Sequence, residues 1–101
     1  MIENLFDPKL VSQLLVSIGD VSDVTGIPQR KLRYWEDKSI ISSSSTKDGG
    51  TRKFDYVNIK KIILIKELLN EGYTLDASVR KVEERIKKLK ESFSALQEKQ
   101  I

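Results

Sequence analysis

From Leu75 to Leu96, apolar side chains recur in steps of 4, 3, 4, 3, 4 and 3: Leu75, Val79, Val82, Ile86, Leu89, Phe93 and Leu96. An α-helix turns once in 3.6 residues, so this rhythm gathers all seven on one seam, roughly 33 Å long at 1.5 Å per residue. Charged residues fill most flanking positions, among them Arg80, Lys81, Glu83, Glu84, Arg85, Lys87, Lys88, Lys90 and Glu91. A chain of 101 residues has little surface left to cover such a stripe, and a core that small is marginal alone. Residues 74–101 are therefore expected to form a coiled-coil dimerisation helix, making the protein a homodimer. The seam alone leaves parallel and antiparallel pairing open.

Composition narrows the chemistry. The chain has no Cys and no His, which removes thiol nucleophiles, imidazole bases, disulfides and almost every transition-metal site. No acidic cluster suggests a carboxylate-only metal site. No catalytic residues, cofactor or metal are expected, and the chain is not expected to be an enzyme. The longest apolar run, Ile62 to Ile65, is far too short to span a bilayer. The opening MIENLFDPKL shows no basic stretch followed by an apolar one, so no membrane association and a cytoplasmic location are expected.

Net charge is +3, and its distribution says more than the total. Residues 1–26 hold one base and four acids, whereas residues 27–61 hold nine bases and four acids. A positive patch of this kind raises the odds of a polyanionic partner.

Local signals order the first three-quarters of the chain. Asp7-Pro8 reads as an N-cap with proline in the first helical turn, and Leu10, Val11, Leu14 and Leu15 suggest a short helix from about 8 to 16. Residues 1–16 are read as an N-terminal extension. Ser17 with Asp20 has capping-box spacing, Ile18, Val21 and Val24 repeat at helical intervals, and Gly26 ends that helix. The turn Gly26-Ile27-Pro28 leads into a helix of about 29–38, giving the outline of a helix-turn-helix; together with the positive patch, it makes residues 17–73 the expected winged helix-turn-helix DNA-binding domain.

On that second helix, at 100° per residue from Gln29, Leu32 lies near roughly 300° and Trp35 near roughly 240°. Gln29, Arg30, Arg33, Tyr34 and Asp37 occupy the other side. Trp35 is thus expected to pack with Leu32 against the 18–25 helix, while Tyr34 stands beside arginines, suited to a phosphate. Gln29 can pair bidentately with adenine and Arg30 with guanine in a major groove. Arg33 and Tyr34 suit phosphates, with Asp37 placed at i+4 to orient Arg33. Beyond Ile40-Ile41, the stretch SSSSTKDGG and then Thr51-Arg52-Lys53-Phe54 reads as a small β-hairpin whose basic return strand would act as a wing. Arg52 is the candidate minor-groove reader. Asp55 caps a helix of about 56–71, with Ile62, Ile65 and Leu69 inward and Lys60 and Lys61 near its start. Gly72-Tyr73 stops it and Thr74 caps the last helix.

Four pieces then fall in register: Ser17-Ile-Gly-Asp-Val-Ser-Asp-Val-Thr-Gly-Ile-Pro, Leu32-Arg-Tyr-Trp-Glu, Gly50-Thr-Arg-Lys-Phe and Glu71-Gly-Tyr-Thr-Leu. Across residues 17–85 their order and spacing resemble the MerR family of winged-helix regulators, and the wing looks most like the nitrogen regulators TnrA and GlnR. The resemblance implies a mainly α chain: a winged helix-turn-helix with a small hairpin wing and a C-terminal dimerisation helix. It implies a homodimer joined by an antiparallel coiled coil, each half binding half of an inverted repeat in double-stranded DNA. It further implies bent, untwisted DNA that RNA polymerase can use despite an overlong promoter spacer. The family's DNA contacts carry over onto Gln29, Arg30, Arg33, Tyr34, Arg52, Lys53 and, more loosely, Lys60.

Metal-sensing members carry cysteines around the dimer helix, and here there are none. Only five residues follow Leu96, where multidrug-sensing members append a large ligand-binding domain. Activation, repression and a DNA-packaging accessory role all stay open. A rival reading is a protein-interaction module in which the coiled coil and the 8–16 helix grip a regulatory protein.

Overall fold

The computed structural model describes residues 7–44 and 52–99, apart from the side chains of Pro8, Ser12 and residues 93–99. In chain order it contains α1 (Pro8–Gln13), β1 (Leu15–Ser17), α2 (Ile18–Thr25), α3 (Gln29–Asp37), β2 (Lys53–Asp55), α4 (Tyr56–Asn70) and α5 (Leu75–Lys99). Two compact units divide the chain inside α4, Met1–Ile63 and Leu64–Ile101.

The first unit is a winged helix-turn-helix. Asp7 caps α1 through its carboxylate, which accepts from the Lys9 and Leu10 amides. The expected helix to residue 16 ends early, because Leu14 is extended (φ −73°, ψ 137°) and the chain enters β1. The cause is tertiary: Leu15, Val16 and Ser17 pair antiparallel with Asp55, Phe54 and Lys53, and the backbone groups of β2 compete successfully with another helical turn. Two residues of the segment read as an N-terminal extension are thus part of the sheet.

Ser17 then switches the chain from strand to helix, its hydroxyl accepting from the Asp20 amide at 3.2 Å. Gly26, at φ 76°, ends α2 and donates to the Ser22 carbonyl at 2.8 Å. Side chains lock the turn that follows. Ser22 Oγ donates to the Ile27 carbonyl at 2.6 Å, while Thr25 Oγ1 donates to Val21 and accepts from the Ile27 amide. These bonds satisfy polar groups at a corner that is otherwise buried by Val21, Thr25 and Ile27. α2 and α3 pack across it, and the core of the unit holds Leu32, Trp35 and Phe54, all at 1% exposure or less. Trp35 and Leu32 are therefore core residues, as the helical wheel requires.

The wing differs in detail from the sequence reading. Ile40 and Ile41 are buried, not strand residues. The Ile40 amide is spent on the Trp35 carbonyl, closing α3, and the pair plugs the core. The hairpin base lies farther out, where Ser44 and Lys53 exchange amide–carbonyl bonds of 2.8 and 3.0 Å. β2 therefore pairs with β1 on one side and with Ser44 on the other. The Gly49-Gly50 turn lies outside the described residues.

In the first unit, Asp55 caps α4 by accepting from the Asn58 amide at 2.9 Å. In the second, α4 ends in a Schellman turn: Gly72 sits at φ 102°, Tyr73 N–H donates to Leu68 and Gly72 N–H to Leu69. Thr74 Oγ1 accepts from Ala77 and so starts α5. Leu64, Glu67 and Leu68 of α4, Glu71 just after it, and Lys81, Val82 and Arg85 of α5 line a cleft of about 200 Å³, and Lys81 Nζ lies 4.9 Å from the centre of the Tyr73 ring.

Candidate nucleic-acid interface

α3 is set at a fixed angle by the locked turn and buries only Leu32 and Trp35. Its remaining residues face solvent or stand at the rim: Gln29, Arg30 and Arg33 are exposed, and Tyr34 is 49% exposed. Tyr34 is thus kept out of the core, as expected, and Lys38 Nζ lies 5.3 Å from its ring centroid. That cation–π pair adds a base to the polar face which the sequence reading passed over, although its i, i+4 spacing was visible.

Arg33 does not turn to Asp37. Its guanidinium donates to Gln29 Oε1 at 3.4 Å, one turn back. A neutral amide oxygen leaves the arginine's full charge in place, so the face stays cationic. The N-cap of α3 is Pro28, which makes no side-chain cap bond. The first amides of α3 and Arg30 sit at the same end of the element.

The returning strand brings Arg52 and Lys53 next. Phe54 points inward and is fully buried, so by strand alternation Lys53 and Asp55 take the opposite face. Arg52 lies at the wing's base, and its Nη1 bonds Glu36 Oε1 of α3 at 2.7 Å. Glu36 Oε2 meanwhile accepts from Ser43 Oγ on the outgoing limb. A second clip comes from α4, where Asn58 Oδ1 accepts from the Ser42 amide at 2.9 Å and Asn58 Nδ2 donates to Asp55. Both limbs of the wing are thus tied to helices. Glu36 and Asn58 each stand 16 positions from a partner, a separation at which no local periodicity could reveal them. Lys60 is exposed near the start of α4.

The seam on α5 is unevenly used. Val82 is 2% exposed and already buried within the single chain. Leu75, Val79 and Ile86 are half-buried, and Leu89 is 56% exposed. Phe93 and Leu96 lie outside the described side chains. Among the described residues no group of side chains could hold a metal ion, and no helix is long and apolar enough to cross a membrane.

Comparison with known proteins matches this arrangement. GlnR from Bacillus anthracis, an HTH-type transcriptional regulator, is 36% identical over 61 residues, covering 60% of this chain and 46% of that protein. TnrA from Bacillus subtilis is 31% identical over 58 residues, covering 57% of this chain and 52% of that protein. The chain thus spans about half the length of the curated relatives it matches. Among solved structures, a MerR-family regulator from Bacillus cereus superposes with a TM-score of 0.62 at 18% identity, over 86% of this chain and 70% of that one. HiNmlR, described as a MerR-family regulator lacking the sensor domain and bound to promoter DNA, gives 0.62 at 19% identity, over 84% and 67%. The family described as MerR HTH family regulatory protein matches residues 16–96, from within β1 almost to the end of α5. Strand, locked turn, recognition-type helix, clipped wing and long terminal helix all fall inside that span, and the chain belongs to the MerR family of helix-turn-helix regulatory proteins.

Proposed function

We propose that this chain binds double-stranded DNA site-specifically as a homodimer and regulates transcription at an inverted-repeat operator. The observation that carries the reading is the face of α3. Gln29, Arg30, Arg33 and Tyr34 are presented to solvent by a helix whose other side is fully buried, beside a wing whose base is anchored by two helices. A helix of this size fits the major groove with its N-terminal side chains nearest the base edges. In this reading Gln29 and Arg30 meet bases, while Arg33 and Tyr34 meet phosphates. Lys53 and the unpaired nitrogens of Arg52 reach the backbone or minor groove beside the wing, and Lys60 adds a looser phosphate contact.

The partly uncovered seam supports the dimer. Leu89 is more than half exposed, and an apolar stripe on a charged helix is stabilised by a second copy. The described residues favour Ile86 and Leu89 as its available part, with Leu75 and Val79 contributing at their exposed edges. Two copies then present two recognition helices to a two-fold related site. RNA polymerase or a regulatory protein would read the resulting complex.

The test is binding of Arg30→Ala and Arg33→Ala variants to duplex DNA. Each is expected to weaken binding while folding normally. A lost base contact costs about 1–3 kcal/mol, and a lost phosphate contact makes the salt dependence shallower by about 0.9 per phosphate. Parent-like binding by both would remove α3 from the interface. A protein-interaction module, the rival reading, predicts no salt-displaceable binding to duplex DNA even in dilute buffer.

A further inference from the structure

We infer that Glu36 is a positioning residue for DNA binding, acting through Arg52 and Ser43; the inference rests on the DNA-binding reading above. A carboxylate in a surface meant for a polyanion is at first sight a liability. Removing one is expected to strengthen attraction to DNA by simple charge arithmetic. Yet Glu36 is held in place: its side chain is only 19% exposed, one oxygen is taken by Arg52 Nη1 at 2.7 Å and the other by Ser43 Oγ.

Those two partners lie on opposite limbs of the wing, Ser43 just before the Ser44–Lys53 bridge and Arg52 just before β2. Glu36 itself sits in the last turn of α3. One carboxylate therefore fixes the wing base against the recognition helix. The bond also orients Arg52. With Nη1 committed to Glu36, the guanidinium is held by one charge-assisted bond, while its side chain remains 42% exposed for a phosphate oxygen. Without Glu36, Arg52 keeps its charge but must lose rotamer freedom on binding, and the wing is freed from α3.

The test compares the parent, Glu36→Gln, Glu36→Ala and Arg52→Ala, each alone, with the Glu36→Gln/Arg52→Ala double variant. The probe is a random-sequence duplex of about 30 base pairs titrated across a salt series. Positioning predicts that Glu36→Gln and Glu36→Ala weaken binding roughly tenfold, the scale of a lost charge-assisted hydrogen bond. It also predicts a shallower salt slope, and a smaller loss from Glu36→Gln in the Arg52→Ala background than in the parent. The isosteric Glu36→Gln variant carries the test if Glu36→Ala fails to fold. Equal or tighter binding, with an equal or steeper salt slope, would show Glu36 to be only a repelling charge and overturn the inference while leaving the DNA reading intact. Additive losses in the double variant overturn it as well. A parent protein that ignores the duplex removes both readings together.

Discussion

Ser39→Gly should stabilise the protein, and the size of the gain follows from the geometry of one turn. Ser39 is the only described non-glycine residue with positive φ, at 63°. It occupies the left-handed position after α3, where its amide donates to Glu36 at 2.9 Å and the Ile40 amide donates to Trp35 at 2.9 Å. These are the two bonds of a Schellman turn, a position normally given to glycine. An L-residue there costs about 1–2 kcal/mol, from Cβ against the carbonyl oxygen. Glycine escapes that cost but loses about 0.5–1 kcal/mol through its freer unfolded chain. Both capping bonds are made by backbone, and Ser39 is exposed, so neither is lost on substitution. At the middle of both ranges the balance is a gain of about 0.75 kcal/mol, or a melting point higher by about 3–6 °C for a domain of this size. The assay is thermal unfolding followed by circular dichroism at one fixed protein concentration, because the proposed dimerisation would make the midpoint concentration-dependent. Ser39→Ala should be nearly neutral and Ser39→Val lower than the parent, since a β-branched residue tolerates positive φ least. A glycine variant that melts at or below the parent refutes the strain argument.

Other substitutions separate core from surface. Trp35→Ala should cost about 3–5 kcal/mol in denaturant titration, because the indole is 1% exposed; a loss under about 1 kcal/mol would contradict the packing. As the chain's one tryptophan, Trp35 should also report unfolding by a red shift of its fluorescence. Gly26→Ala should destabilise by about 0.75 kcal/mol, the left-handed penalty at φ 76° less the unfolded-chain entropy that glycine carries, and a neutral result would mean the turn can be remade without it. Leu89→Lys should shift the protein toward monomer in sedimentation while keeping its helical spectrum; an unchanged dimer would take the seam off the interface. Deleting residues 1–13 should leave the sheet and the melting point nearly intact, whereas deleting 1–16 removes most of β1 and should lower it.

Most local structure here was decided by short-range chemistry that the amino-acid order displays. Ser17, Asp55 and Thr74 cap helices because their side-chain oxygens lie within reach of amides three residues on. Gly26 and Gly72 end helices because they alone enter the left-handed region cheaply. The placement of Trp35 inside and Tyr34 outside follows from 3.6 residues per turn and nothing more. What the order of residues could not decide is which distant backbone pairs with which. Leu14 and Leu15 continue a helical pattern, yet Leu15 is in a strand because β2 arrives to pair with it about forty positions later in the chain. Ile40-Ile41 resemble a strand and instead fill the core. Glu36, an ordinary surface residue by sequence, becomes the tie between helix and wing only once folding has carried Arg52 to it. Caps and inner faces are local questions with local answers, whereas sheet pairing, the helix end it overrides after Gln13, and side-chain networks depend on the three-dimensional path, which no window of neighbouring residues contains.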